Sequence, residues 1–191
     1  HAAADLLAQA EHDEMAGAVL LTPDEAFAEA VDVEVDRQIA TLPRKEIASR
    51  ALAAFGALVV TRDLAEAVAL ANRFAPEHLE LMVQTPRELL AEIRNAGAIF
   101  MGMHTPEALG DYTAGPNHVL PTGGTARFAS PLGVYDFVKR TSVLSFSRDA
   151  LNRYGSATAR FAEMEGLSGH GHSVSLRLEK TGGAPRAVKR S

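Results

Sequence analysis

Gln9 and His12 stand three residues apart in a run of strong helix formers. On one helix they would project from the same face about a turn apart and could reach a common ion, although taken alone they fit a solvated helix face better. In Ala75-Pro76-Glu77-His78 the proline stiffens the backbone beside two adjacent ionisable groups. A carboxylate next to an imidazole can divide proton transfers between them when burial brings each pKa near working pH; a surface turn is the plainer reading. Asp111 follows Gly110, and His118 closes Gly115-Pro116-Asn117-His118, so one stretch offers an anion and an imidazole. Asp in a turn often only accepts from backbone amides. His170 lies five residues after Glu165 and two before His172. The His-x-His spacing invites a metal reading, but two residues two apart on a helix point apart.

The chain has no cysteine, so thiolate zinc sites, iron–sulfur clusters and disulfides are excluded, and any metal must rest on His, carboxylate or amide groups. Gly123 and Gly124 do not form the strand–GxGxxG–helix fingerprint, and GxxxxGK[ST] is absent, so no cofactor-binding motif is visible. Hydrolysis by a Ser-His-Asp triad lacks a GxSxG elbow. Net charge is −5 with the signs interspersed, which gives no footprint for nucleic acid. No apolar run is long enough to span a membrane.

The elements that must position these residues alternate. Residues 2–17 read as a helix closed by Gly17, and Ala18–Leu21 as a strand. It feeds a helix with Thr22 as cap, Pro23 at the first helical position and Glu25 closing a capping box. Pro43–Phe55 reads as a further helix. Ala57–Thr61 is the next strand, followed by a helix capped by Asp63 and Glu66 that stops before Pro76. Leu79–Val83 leads into a helix opening at Thr85-Pro86-Arg87-Glu88 and ending at Gly97, and Ala98–Met101 supplies a fourth strand. The pattern predicts an α/β fold: a largely parallel sheet with flanking helices, an incomplete Rossmann-like domain over residues 1–140. From Gly102 to Pro131 periodicity fails, and so long an irregular stretch inside a domain is usually functional. A strand at Val143–Phe146 and helices over Arg148–Glu165 and His172–Lys180 make a small helical appendage, residues 141–180. Residues 181–191, rich in Gly, Pro and basic side chains, read as a disordered tail.

Four stretches, taken together and in order, resemble histidinol dehydrogenase: QAEHDE at 9–14, FAPEHLEL at 74–81, GDYTAGPNHVLPTGGTARF at 110–128 and EGLSGHGHSV at 165–174. The similarity runs from His1 to about Arg177. The resemblance implies the zinc- and NAD-dependent oxidation of L-histidinol to L-histidine through an aldehyde, in a cytoplasmic homodimer that binds neither nucleic acid nor membrane. It implies Gln9, His12, Asp111 and His170 as zinc ligands, and Glu77 and His78 as the acid/base pair. His78, Asp111, His118, Glu165 and His170 become substrate contacts, with Glu165 and His170 reaching across the dimer. His172 receives no role. One amide oxygen, one carboxylate and two imidazoles suit zinc without thiolates.

The family chain is more than twice as long, and the part that contacts NAD precedes the region of similarity. With His1 in place of an initiator Met, the chain is expected to be a fragment, inactive alone. Two other readings compete. One is a zinc- and NAD-dependent relative acting on another small alcohol such as a sulfonated diol; the other is a noncatalytic structural or dimerisation module.

Overall fold

The computed structural model describes residues 1–179; the tail and Lys180 lie outside the described residues. The chain divides into two compact units, residues 1–138 and 139 onward.

The first unit runs α1 (Ala2–Ala10), β1 (Val19–Thr22), α2 (Glu25–Ile39), α3 (Lys45–Phe55), β2 (Ala57–Val60), α4 (Leu64–Phe74), β3 (His78–Leu81), α5 (Pro86–Leu89), β4 (Ala98–Met101) and α6 (Glu107–Tyr112). Two short 3-10 turns, Thr125–Arg127 and Val134–Phe137, follow. All strand pairing is parallel, as crossover helices between strands require. The strands form two two-stranded sheets: β1 pairs β2 from Val19↔Ala57 to Thr22↔Val60, and β3 pairs β4 from His78↔Ala98 to Leu81↔Met101.

Small residues let the layers approach. Ala10, Ala18, Ala48 and Ala51 form one buried cluster joining α1, α3 and the entry to β1. Ala2, Ala3 and Val31 form a second between α1 and α2, with Leu6, Leu20 and Val35 packed against it. α1 is thus fixed along two faces, against α2 and against α3.

Local chemistry sets the boundaries, and in several places it departs from the sequence pattern. α1 stops at Ala10 rather than running to Gly17. The acidic Glu11, Asp13 and Glu14 that follow are disfavoured at the negative end of a helix dipole, and the Asp13 carboxylate instead accepts from the Met15 amide at 2.8 Å. His12 therefore sits in the turn beyond α1, not on it. At α2 the cap is Asp24, whose side chain accepts from Phe27 N at 3.0 Å, while Thr22 ends β1 and accepts from Asp24 N at 3.2 Å. The helix after Pro86 lasts four residues. Beyond it the amides of Arg94 and Asn95 are taken by the Asn72 side chain, at 2.7 and 3.2 Å, rather than by a continuing helix. Around α4 the Asp63 carboxylate accepts from Glu66 N at 2.8 Å and Glu66 accepts from Arg62 N at 2.7 Å, as the sequence suggests.

The second unit is a helical pair, α7 (Arg148–Met164) and α8 (Ser168–Glu179). Ser147 caps α7, accepting from Ala150 N at 3.1 Å, and buried Gly155, Ala159 and Ala162 keep the contact face of α7 narrow. α8 begins four residues before His172, so His170 and His172 both lie on it. Val143–Phe146 forms no strand: Val143 is 90% exposed and the segment has no pairing partner among the described residues. No described helix is long and apolar enough to cross a membrane.

Removing one cap tests how far local chemistry sets these elements. Asp63→Ala should lower the stability of the first unit, read as a reduced urea midpoint at unchanged slope. An unaltered midpoint would show that packing alone holds the start of α4.

Candidate metal and acid–base site

The site forms where β3, β4, α1 and α6 meet, and its centre is His78. α4 ends on Ala75 in the left-handed conformation (φ 55°, ψ 64°), an arrangement that costs a non-glycine residue roughly 1–2 kcal/mol. Pro76 follows and cannot continue the helix. The chain reverses there into β3. Its backbone is then held by β4: Gly97 N donates to Pro76 O at 2.9 Å and Ala98 N to Glu77 O at 2.8 Å. A Cβ on Gly97 would come within 2.6 Å of Glu77 O, so only glycine permits this approach. Glu77 and His78 are thereby fixed at the backbone.

The His78 side chain is 12% exposed and packs at 5.9 Å, tilted by 57°, against the ring of buried Phe100 on β4. Neither of its ring nitrogens has a hydrogen-bond partner among the described residues, and Nε2 lies 3.8 Å from Glu107 Oε1, beyond hydrogen-bond reach. A buried polar atom left in this way costs about 1–3 kcal/mol, so the ring is set to engage a bound group. Burial pushes the His78 pKa below its ordinary 6.5, opposed by the charges of Glu77 and Asp111 and assisted by His12. Burial thus favours the neutral imidazole, the form that accepts a proton or a metal.

Glu107 and Asp111 face His78 from α6. They are four residues apart, which places both on one face of the helix. Gly110, between them, packs flush against Phe100, where a Cβ would lie 2.5 Å from the ring. Glu107 is nine-tenths buried. Burial raises its pKa, and the contact with Asp111 raises it further, countered by His12. Ligand atoms of His78, Glu107 and Asp111 all lie within 4.8 Å of one another. Zinc binds N and O ligands at about 2.0–2.2 Å, so atoms up to 4.8 Å apart lie near the span of one coordination sphere. The donor set, two crowded carboxylates and a buried imidazole, fits a divalent cation, which would relieve the like-charge contact.

Behind this face stands a second carboxyl pair. Glu80, two residues along β3 from His78 and so on the same side of the strand, contacts Asp5 of α1. Burial and the Asp5 charge push the Glu80 pKa up to about 7, and burial raises that of Asp5. Two carboxyls in contact share a proton. The Glu80 carboxyl group also accepts from Glu107 N, through Oε1 at 3.0 Å, and so caps α6.

The sequence-marked residues are distributed unevenly over this geometry. Gln9, Glu77 and His78 line one cavity of about 1300 Å³ together with Asp5, Glu80 and Glu107. Asp111 joins His78 in the ligand group, and His12, though exposed, acts electrostatically on both His78 and Glu107. His118 is exposed in the long loop. Glu165, which ends α7, and His170, in the first turn of α8, are exposed in the second unit. Arg127 ties the long loop to α4 by donating to Gly124 O at 2.8 Å and to Arg73 O. Sequence reasoning missed Glu107, Glu80 and Asp5. The four-residue spacing of Glu107 and Asp111 is informative only once the stretch is known to be helical.

This geometry is that of an α/β protein whose buried imidazole and carboxylates can hold a divalent cation and move a proton. The histidinol dehydrogenase family model matches residues 1–178. The histidinol dehydrogenase of Syntrophotalea carbinolica is 61% identical over 179 residues, 94% of this chain and 42% of its own length. That of Geobacter metallireducens is 59% identical, over 96% and 42%. A crystal structure of histidinol dehydrogenase from Elizabethkingia anophelis, 37% identical, superposes with a TM-score of 0.87 over 93% of this chain and 41% of that one. The chain belongs to the histidinol dehydrogenase family, and it spans about 42% of the length of the curated relatives it matches.

The raised Glu80 pKa makes a signed prediction. An unfolded Glu releases its proton near 4.5, whereas Glu80 in the fold retains it to about 7. The folded state binds more protons in that interval, so this contribution to stability is complete below about 4.5 and is lost as pH rises through about 7. Burial of His78 acts in the opposite sense, so the comparison is internal. The melting temperature of the wild type minus that of Glu80→Gln should fall from about pH 5 to about pH 8. A difference that is flat or rises contradicts the assignment.

Proposed function

We propose that this chain forms the metal-binding and proton-transfer half of an enzyme that oxidises L-histidinol through histidinaldehyde to L-histidine with two NAD. The observation that carries the reading is the buried His78 imidazole, whose ring nitrogens have no hydrogen-bond partner among the described residues, close to Glu107 and Asp111 and lining the cavity that Gln9 also lines.

In this reading Gln9, His12 and Asp111 hold zinc together with His170 of the partner subunit. Zinc, when bound, would supply a positive charge that orients the substrate for reaction. NAD, when bound, would supply the hydride acceptor for each oxidation; no residue of this chain is assigned to hold it. Glu107 backs Asp111 rather than ligating.

The chain's own residues then have distinct tasks. His78, favoured as the neutral base by burial, takes the substrate hydroxyl proton in the first oxidation. Glu77, its backbone fixed against β4, activates water for attack on the aldehyde carbon. His118 and the partner subunit's Glu165 contact the substrate. Residues 141–180 act as the dimerisation appendage of a cytoplasmic homodimer.

Fused to the N-terminal portion of the Syntrophotalea carbinolica relative, the chain should reduce NAD with L-histidinol, and His78→Ala should lower kcat by at least about 100-fold. The 191-residue chain alone should reduce none. A fusion without turnover, an active His78→Ala variant, or NAD reduction by the chain alone would contradict the proposal.

A further inference from the structure

Gln9 lies on α1, His78 on β3 and Asp111 on α6, and one side chain joins these three elements. Glu80 lies on β3, on the same face as His78 and one strand repeat further along. One carboxylate oxygen accepts from Glu107 N, the first residue of α6, at 3.0 Å. The same carboxyl group contacts Asp5 on α1. Each arm ends one helical turn from a proposed ligand: Asp5 precedes Gln9 by four residues, and Glu107 precedes Asp111 by four. Residues so spaced share a helix face with Cβ atoms about 5–6 Å apart. A shift of either arm therefore carries over to its ligand.

We propose that Glu80 is a positioning residue for the metal site, holding α1 and α6 at the separation that lets Gln9 and Asp111 address one ion beside His78. Glu80 touches neither substrate nor ion. The inference rests on the ligand assignment proposed above. It differs from a purely structural role in what it requires of the side chain: an acceptor for Glu107 N and a hydrogen-bonding partner for Asp5, held at one length. A glutamine meets both requirements, since its carbonyl accepts from Glu107 N and its amide donates to Asp5. An alanine meets neither.

The test uses the full 191-residue chain and Co2+ as probe, titrated against a competing chelator and followed by its visible d–d absorption. Outer groups that orient metal ligands typically set affinity by about 10–100-fold, so Glu80→Ala should weaken Co2+ binding by at least about tenfold while Glu80→Gln stays within about threefold of wild type. Wild-type affinity in Glu80→Ala, or a Glu80→Gln protein as weak as Glu80→Ala, overturns the inference. If Glu80→Ala fails to fold by circular dichroism, Asp5→Ala and Asp5→Asn, which alter only the α1 arm, carry the same pair of expectations and the same refutations. A wild-type chain that binds no Co2+ defeats the ligand assignment and this inference with it. Normal wild-type binding with unaffected variants defeats this inference alone.

Discussion

The crowding of carboxyl groups around one buried imidazole is the constraint on which the rest of the structure depends. Asp5, Glu80, Glu107 and Asp111 stand in contact with or next to one another, and His78 faces the last two. Like charges at such distances are unfavourable in a partly buried site unless protons or a cation compensate. Asp5 and Glu80 solve this with a retained proton, as their raised pKa values indicate. Asp111, with Glu107 behind it, faces His78 instead and is the carboxylate placed to meet a divalent ion. The two solutions sit back to back, separated by the amide of Glu107.

The scaffold is arranged to enforce that crowding. Small-residue clusters pack α1, which carries Asp5, against α2 and α3. The left-handed turn at Ala75 and the close approach at Gly97 fix the start of β3, and the flush contact of Gly110 with Phe100 sets α6 against β4. Elsewhere the packing is sparser. Leu58 and Val60 on β2, Ile99 on β4 and the rings of Phe55 and Phe74 leave substantial apolar surface exposed, in a chain that spans about 42% of its relatives' length.

Much of this was legible in the sequence, for identifiable reasons. Alternating apolar runs and caps such as Asp63 with Glu66 revealed parallel strands joined by helices, because those signals are local. The length of the first helix was misread because helix propensity favours its continuation while the acidic run after Ala10 opposes it through the dipole. His12 consequently lies in the turn beyond α1 and not on the helix face that carries Gln9. The strand expected at Val143–Phe146 has β-branched and aromatic residues but no neighbour to pair with among the described residues, and pairing is not a local property. Glu80 and Asp5 were invisible for the same reason. They are 75 residues apart, and nothing in either neighbourhood marks them as partners. Glu107 was hidden inside a stretch whose Gly and Pro content reads as irregular. The cap that makes it helical comes from Glu80, 27 residues upstream.

The central claim is that the ion sits between α1 and α6, with His78 left free to take a proton. Anomalous diffraction at the zinc edge from crystals of the zinc-loaded chain tests it most directly. The account predicts one zinc bound by Gln9, His12 and Asp111 with the partner subunit's His170, with His78 outside the coordination sphere and Glu107 behind Asp111. A zinc held by His78, Glu107 and Asp111, with Gln9 and His12 unligated, would contradict it.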